Sequence, residues 1–283
     1  MPLILRGGAR AAALMILMSL VTSACGEVYR WRDDQGRTHF SDRPVPGSER
    51  LQIEPPARTA AGTYVRVQKV YDGDTVLLEN GDKVRLLGIN TPEVAGGRKQ
   101  EEAGGEAAKA WLKRELEGRR VRLEQDTEFQ DHYGRKLAHV FTADGEHVNR
   151  LLVEQGYATT DIYPPNLKYV DDMLSAEARA ERDKKGLWAL PEYRAKTMAG
   201  LDFGGLDGWQ RLVGKALGVD ERKSLYILHF ESGFEAHIPK QNVRSFPPLQ
   251  SYVGLSLELR GWVSRRGGAY FMVIRHPGAL VKR

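Results

Sequence analysis

Cysteine is almost absent from this sequence: Cys25 is the only one in 283 residues. A single cysteine excludes an internal disulfide and any zinc site built from several cysteines. The apolar run Ala11–Ala24 has only fourteen residues, too few to span a bilayer comfortably. Excess charge is also small, because the formal net charge of +5 falls to +3 without Arg6 and Arg10. Bulk charge alone is therefore a weak pointer to nucleic acid.

The N-terminus has the pattern of an export signal. Arg6 and Arg10 precede the apolar run, and small residues follow it, so residues 1–24 predict a secretory signal peptide. Cys25 follows Thr22-Ser23-Ala24, which resembles a bacterial lipoprotein cleavage box except that Thr22 stands where Leu or Val is usual. The alternative is an ordinary cut that leaves a cysteine at the new N-terminus. We expect an exported protein of the bacterial envelope, either periplasmic, attached to the outer membrane through lipidated Cys25, or secreted.

A short β-hairpin module is predicted at residues 25–44. Aromatic and polar residues alternate from Val28, a turn is expected at Asp33–Gly36, and the chain returns through Thr38 and Phe40. The segment resembles a short N-terminal module found on many proteobacterial envelope proteins. A lone hairpin is marginal in water, so it is expected to dock elsewhere.

The full chain is 41% hydrophobic and 28% charged, the composition of a globular protein, and it is long enough for more than one core. Pro- and Gly-containing stretches without periodicity predict linkers at residues 45–62 and 191–208. These boundaries leave two folded domains, residues 63–190 and residues 209–283.

Residues Tyr71–Glu93 predict a tight hairpin with charged groups at its open end. A turn around Asp74 precedes the first strand, Asn80-Gly81 is a strong two-residue hairpin signal, and the Asn90–Glu93 loop follows the second strand. Such a hairpin brings its ends together, so Asp74 and the Asn90–Glu93 loop are expected to be neighbours. Two carboxylates, an amide and Arg85 at one hairpin mouth suggest a divalent metal beside a phosphate.

Helical periodicity predicts three helices after this hairpin, at Glu106–Leu116, Val148–Gln155 and Leu167–Lys185. For the last helix the expected inward residues are Leu167, Val170, Leu174 and Ala178. Its charged residues, Glu177 and Glu181 among them, are expected on a solvated face. Strands that close a small barrel with two to three helices outside are the predicted architecture of residues 63–190.

Residues 209–283 lose the helical periodicity and predict five strands in a second small OB-like barrel: Leu212–Leu217, Ser224–Phe230, Phe234–Ile238, Leu255–Val263 and Ala269–Ile274. OB folds bind single strands through basic grooves and stacking aromatics. Such a face could come from Arg260, Trp262, Arg265, Arg266, Tyr270 and Arg275. The alternative, which we favour, puts Trp262 and Phe271 in the core and the arginines on the surface.

Five motifs resemble those of the staphylococcal nuclease (thermonuclease) family, and they occur in the family's order over residues 63–190: Asp72-Gly73-Asp74-Thr75, Arg85-Leu86-Leu87, Asn90-Thr91-Pro92-Glu93, Asp131-His132-Tyr133-Gly134-Arg135 and Gly186-Leu187-Trp188. Each motif is short, and its residues taken singly could be turn formers or surface charges. Together they imply a mainly β fold with α-helices: a staphylococcal-nuclease-like OB-fold barrel.

The resemblance also implies roles for individual residues. Asp74, Asn90 and the Thr91 carbonyl match calcium-site positions, and Glu93 matches the general base that activates water. Arg85 and Arg135 match the two guanidiniums that grip the phosphate. Positions beside the nucleotide correspond to three residues, Tyr133, Tyr163 and His132.

Three positions depart from the family pattern. Asn90 stands where an aspartate is common, His132 where a lysine is usual, and a second nucleotide-pocket aromatic is absent near Asp161. Losing one negative charge at Asn90 predicts weaker calcium binding. His132 is expected only to reduce substrate affinity.

The leading interpretation is an exported calcium-dependent nuclease that hydrolyses DNA and RNA, favours single-stranded or flexible substrates, and leaves 3′-phosphates. One alternative is a non-catalytic nucleic-acid-binding envelope protein with a weakened metal site. Another is an envelope interaction or structural protein without nucleic-acid affinity. No protein partner is evident, and the pattern leaves open the preference between DNA and RNA and between endo and exo cleavage.

Overall fold

A computed structural model describes residues 28–32, 38–41, 44–51, 63–95, 101–206 and 208–283. The chain divides into two compact units, Met1–Ala61 and Gly62–Arg283. The predicted signal peptide, Cys25 and residues 52–62 of the predicted linker lie outside the described residues. Within the described ranges, no helix is both long and apolar enough to cross a membrane.

The first unit contains a three-stranded antiparallel sheet of β1 (Val28–Arg32), β2 (Thr38–Ser41) and β3 (Glu49–Leu51). β1 lies in the middle, with Trp31 opposite His39 on one side and Tyr29 opposite Arg50 on the other. The predicted hairpin is therefore present. β3, in a segment expected to be linker, supplies a third strand, which stabilises a hairpin that would be marginal alone.

The second unit begins with a closed five-stranded barrel in the order β4-β5-β6-β9-β8. Its strands and the two short strands beside it are β4 (Tyr64–Val70), β5 (Thr75–Leu78), β6 (Lys83–Leu86), β7 (Ile89–Asn90), β8 (Arg120–Glu124), β9 (Lys136–Thr142) and β10 (Thr159–Thr160). β5 and β6 are joined through Gly81, whose φ of 87° is left-handed and suits glycine. Apolar side chains fill the barrel interior, including Val67, Val76 and Val84.

Three helices accompany the barrel: α1 (Gly105–Leu116), α2 (Val148–Glu154) and α3 (Val170–Arg182). α1 buries Ala108, Leu112 and Leu116. α3 starts later than predicted, and Leu167 and Ala178, expected inward, are exposed.

The buried face of α3 consists of Val170, Met173, Ala176, Glu177 and Ala180. The prediction placed only apolar residues inward, and it missed this face because the face includes the carboxylate of Glu177.

His139 and His147, to which the sequence assigns no role, form a buried pair with Nδ1 of His139 3.1 Å from Nε2 of His147. Burial lowers the pKa of His139 to about 4 and that of His147 to about 3. Both rings are therefore neutral near pH 7 and pack together with Tyr169.

The C-terminal part forms one eight-stranded sheet. The strands are β11 (Lys196–Thr197), β12 (Trp209–Glu221), β13 (Leu225–Phe230), β14 (Glu235–Pro239), β15 (Ser256–Trp262), β16 (Ser264–Arg266), β17 (Ala269–Val273) and β18 (Leu280–Lys282). β16-β17-β14-β13-β12-β15-β18 is the order across the sheet, with β11 beside β12. All five predicted strands are present, and the mainly β fold class is confirmed.

Residues expected to form the second linker belong to the core of this C-terminal β domain. β11 pairs in parallel with β12, and Met198 and Phe203 are buried among the sheet's apolar side chains. The segment is therefore packed against the sheet.

A buried ionic cluster joins α3 to the C-terminal sheet. Glu258 of β15 is fully buried and accepts hydrogen bonds from Arg211 Nε at 2.8 Å and Arg260 Nε at 2.7 Å. Arg260 Nη1 also donates to Glu177 at 3.0 Å, and Glu181 pairs with Arg211, Arg260 and Arg283. The expectation that Glu177 and Glu181 lie on a solvated face is wrong, because arginines of the sheet cover that side of the helix.

Candidate active site

The turn before β5 places a buried carboxylate at the hairpin mouth. Asp74 is only 6% exposed, and its backbone N–H donates to Asp72 Oδ1 at 3.1 Å. Gly73 lets this turn approach closely, since a Cβ there would lie 2.7 Å from Thr91 and Ala108 side-chain atoms. Burial and the charge of Asp74 together raise the pKa of Asp72 to about 6.

Asp74 meets the Asn90–Glu93 loop, as the hairpin argument predicts. Its Oδ2 accepts hydrogen bonds from Thr91 N at 3.1 Å and Thr91 Oγ1 at 3.2 Å. Its Oδ1 lies 3.1 Å from Arg85 Nε. The structure therefore brings together a carboxylate, a guanidinium and the N–H and hydroxyl groups of Thr91.

Asn90 lies between Arg85 and Thr91. Its Oδ1 accepts a hydrogen bond from Arg85 Nη2 at 3.3 Å, and its Nδ2 donates to the Thr91 carbonyl at 3.1 Å. Antiparallel pairing of β7 with β10 places Asn90 opposite Thr159 and fixes its backbone. The amide thus holds the loop and presents its oxygen beside the guanidinium.

The Glu93 backbone is clamped by the residues that begin α1. Glu93 N donates to Glu102 Oε2 at 2.9 Å, and the Glu93 carbonyl accepts from Glu102 N at 2.9 Å. Gly105 packs against the same peptide, because a Cβ there would come 2.4 Å from the Glu93 carbonyl oxygen. Sequence reasoning missed Glu102 and Gly105, whose contacts join a loop to a helix start nine or more residues away.

Arg135 reaches the same side of the barrel through β9. The parallel pairing of β9 with β6 sets Leu137 opposite Arg85, and Arg135 lies two residues before Leu137, about 7 Å along the strand. Arg135 Nε donates to Asp131 Oδ2 at 2.7 Å. Its Nη1 and Nη2 make no hydrogen bond within the described ranges and are available to an anion.

His132 and Tyr133 form the exposed tip of the turn before Arg135. Their ring centroids are 3.8 Å apart, and Tyr133 is 74% exposed. The Arg135 guanidinium lies 5.6 Å from the Tyr133 ring centre. Both rings therefore stand at the rim, adjacent to Arg135 and without direct contact with Asp74.

Tyr163 is 45% exposed, and the guanidinium of Arg275 lies 4.4 Å from its ring centre. Asp161, where the family aromatic is absent, donates its backbone N–H to Gly88 O at 2.9 Å. Burial raises the pKa of Asp161 to about 6, although Arg85 and Arg275 act to lower it. Sequence reasoning noted only the missing aromatic and did not find a carboxylate whose pKa is influenced by Arg85 and Arg275.

The donor set suits a hard cation only in part. Calcium prefers oxygen ligands such as carboxylates, amide carbonyls and waters, and Asp74, Asn90 and the Thr91 carbonyl supply the first two kinds. In the described residues, no group of three or more His, Cys, Asp or Glu side chains could hold a metal by itself. Asp74 is the single carboxylate in this set, so much of any cation's coordination would have to come from water or substrate.

Comparison with known proteins agrees with this arrangement. A family model described as "Staphylococcal nuclease homologue" matches residues 83–190, and one described as "Domain of unknown function (DUF4124)" matches residues 15–65. The thermonuclease of Staphylococcus intermedius is 38% identical over 130 residues, which is 45% of this chain and 77% of that protein. The thermonuclease of Staphylococcus hyicus is 35% identical over 130 residues, 45% of this chain and 76% of that protein.

A third relative extends further along the chain. The endonuclease YncB of Bacillus subtilis is 30% identical over 193 residues, which is 64% of this chain and 91% of that protein. With these relatives, the closed barrel and the Asp74–Arg85 site, the chain belongs to the staphylococcal nuclease family.

Proposed function

We propose that this protein is a calcium-dependent nuclease that hydrolyses phosphodiester bonds of DNA and RNA and releases 3′-phosphate products. The observation that carries the proposal is the Asp74–Arg85 ion pair bound to the Asn90-Thr91 loop at the barrel mouth. The thermonuclease and endonuclease relatives support the nuclease class. Export to the bacterial envelope, with Cys25 as a lipid attachment point, is part of the proposal and rests on the N-terminal sequence alone.

Two guanidiniums fit the binding of a scissile phosphate. Arg85 is oriented by Asp74 and Asn90, and Arg135 is oriented by Asp131 through Nε. Arginine keeps its charge at all relevant pH values and can donate two parallel hydrogen bonds to a phosphoryl group. These two side chains stabilise the negative charge that grows on the phosphoryl oxygens during attack.

Glu93 acts as the general base in this proposal. It takes a proton from water, the water oxygen forms a bond to phosphorus, and the bond from phosphorus to the 5′-oxygen breaks. The leaving 5′-oxygen takes up a proton from solvent, and the phosphate remains on the 3′ side. A bound calcium ion, held by Asp74, Asn90 and the Thr91 carbonyl, would add positive charge beside the phosphate.

Removing calcium should abolish cleavage. With the full chain and denatured DNA, we expect strand scission in millimolar-range calcium and background rates with excess chelator, measured by gel or by release of acid-soluble nucleotides. Re-adding calcium should restore cleavage. Binding of the DNA without scission at any calcium concentration would instead support the non-catalytic alternative.

Restoring a carboxylate at residue 90 should tighten metal binding. Asn90→Asp adds a second negative charge to a donor set that now has only Asp74, and we expect the calcium Kd to fall about tenfold, since each tenfold change requires only about 1.4 kcal/mol. Calorimetric titration without DNA measures this directly. Asn80→Asp, in the exposed hairpin loop, is the matched control and should leave the Kd unchanged. An unchanged or weaker affinity in Asn90→Asp would contradict the assignment of this residue to the metal site.

A further inference from the structure

Positive charge is distributed unequally along the chain. Residues 63–206 contain 22 Lys or Arg and 25 Asp or Glu, a formal net charge of −3. Residues 208–283 contain 12 Lys or Arg and 5 Asp or Glu, a formal net charge of +7. Part of this difference is neutralised where Glu177 and Glu181 pair with arginines of the sheet. A polyanionic substrate is still attracted more strongly by the C-terminal β domain than by the barrel that holds the candidate active site.

The C-terminal β domain reaches the candidate active site at Tyr163. The guanidinium of Arg275, which follows β17, lies 4.4 Å from the centre of the Tyr163 ring. Its charge opposes the rise in the pKa of Asp161. Next to Arg275, a cleft lies between residues 160–162 and the C-terminal β domain. Its lining includes Asp161, Trp209, Trp262 and Arg275. Trp262 remains 37% exposed. The cleft thus combines a cation with aromatic surface directly beside a nucleotide position of the nuclease site.

The outer face of β17 continues away from this cleft. Met272 and Ile274 are buried in the sheet's core, and Tyr270 packs against that core. Because side chains alternate along a strand, Phe271, Val273 and Arg275 share the opposite face. Both sequence interpretations of this strand were therefore partly wrong, since Tyr270 packs inward and Phe271 lies on the outer face.

Phe271 stacks on His237 of β14, with ring centroids 4.2 Å apart and an interplanar angle of 10°. Nε2 of His237 forms a hydrogen bond of 2.6 Å with Oε2 of Glu235. Arg275 lies two residues beyond the end of β17 and four residues, about 13 Å of extended chain, from Phe271. A single strand that leaves the nuclease site over Tyr163 and Arg275 would next meet this aromatic pair.

Arg275 is available for such a contact. Within the described ranges it forms no ion pair with a carboxylate, and its guanidinium carbon lies 4.4 Å from the centre of the Tyr163 ring. Its side-chain N–H groups make no hydrogen bond in the part of the chain that the structure describes, so they are available to a phosphate. Stacking aromatics combined with cations are the usual means by which proteins hold single strands.

The position of this face relative to the nuclease barrel is fixed by the buried ionic cluster of Glu177, Glu181, Arg211, Glu258 and Arg260. We propose that Arg275 and the outer face of β17 form an extension of the nuclease site that binds single-stranded nucleic acid beyond the scissile phosphate. This inference rests on the proposed function for its choice of substrate.

Binding, measured without cleavage, tests the extension. In excess chelator, fluorescence anisotropy gives the Kd of the full chain for an oligothymidylate of about twelve nucleotides, within the site sizes of single-strand binders. Competition with a thymidine dinucleotide gives the affinity of the short ligand. Arg275→Ala should raise the Kd of the long oligonucleotide about five- to tenfold and leave the dinucleotide unchanged, and the slope of log Kd against log salt should fall by about 0.7. Arg275→Lys should recover part of the salt slope but not the full affinity, because it keeps the charge and loses the planar stack.

The matched control is Lys215→Ala, which removes one exposed charge six residues, about 20 Å, along β12 from Trp209. It should change the long-oligonucleotide Kd less than about twofold. Equal weakening by Lys215→Ala would show a diffuse charge effect and overturn the proposal. So would an equal loss for the dinucleotide, no loss for the long strand in Arg275→Ala, or no measurable binding by the unaltered chain. The cleavage assay described above does not depend on this result, so each idea can fail separately.

Discussion

Glu93→Gln protein should cleave denatured DNA more slowly than the unaltered chain by about two orders of magnitude or more, the loss attributed to a positioned general base. The clamp from Glu102 and Gly105 acts on the Glu93 backbone, so glutamine should occupy the same place without a basic oxygen. Initial rates at saturating calcium measure the effect. Calcium titration should show an unchanged Kd in this variant.

Glu106→Gln is the matched control, because it removes one exposed carboxylate from the first turn of α1. Its rate should remain within about twofold of the unaltered chain, as expected for a surface change. A Glu93→Gln rate equal to that of this control would assign the base elsewhere.

Arg260→Met should destabilise the chain by about 3–5 kcal/mol, the usual cost of removing one partner from a buried ion pair. Methionine keeps most of the side-chain volume, so the loss is electrostatic. Glu177 would remain buried, with its Thr160 N–H hydrogen bond but without Arg260. Burial raises the pKa of Glu177 and Arg260 opposes that rise, so the variant would leave a carboxylate that resists ionisation. Urea unfolding at pH 7 measures the change.

A double substitution separates charge from packing. Arg260→Met with Glu177→Gln removes the uncompensated charge and should recover at least half of the lost stability, whereas a packing defect would persist. Arg266→Met, at an exposed position in β16, should change stability by no more than about 0.5 kcal/mol. If Arg260→Met lowers the free energy of unfolding by less than about 1 kcal/mol, the ion pairs of this cluster do not contribute substantially to stability.

The hairpin and its charged mouth could be predicted from sequence because their determinants are local. Turn residues around Asp74 and at Asn80-Gly81 fix the register, and the register alone brings Asp74 to Thr91. The same is true of Arg85, which lies opposite Thr75. Geometry that follows from one hairpin needs no knowledge of the rest of the chain.

Features that depend on distant partners were missed for a physical reason. Glu177 was predicted to face solvent because the arginine that covers it, Arg260, is 83 residues away in sequence. At Asp161 the sequence showed only that an aromatic residue is absent. The two arginines that act on its pKa, Arg85 and Arg275, are distant in sequence and could not be identified from it. Met198 and Phe203 lie in a Gly-containing stretch whose packing depends on a strand that comes later.

Glu177 also has a consequence for where this chain can be divided. One of its oxygens accepts Thr160 N at 2.6 Å, the other accepts Arg260 Nη1 at 3.0 Å, and β10, which contains Thr160, pairs with the strand of Asn90. The family match covers residues 83–190, which omits both Asp74 and Arg260. A chain shortened to residues 83–190 would expose the side of α3 that carries Glu177 and would remove Arg260, its partner in the sheet. Arg283 also joins the cluster through Glu181 and Glu258, so we expect the sheet and the nuclease barrel to unfold together.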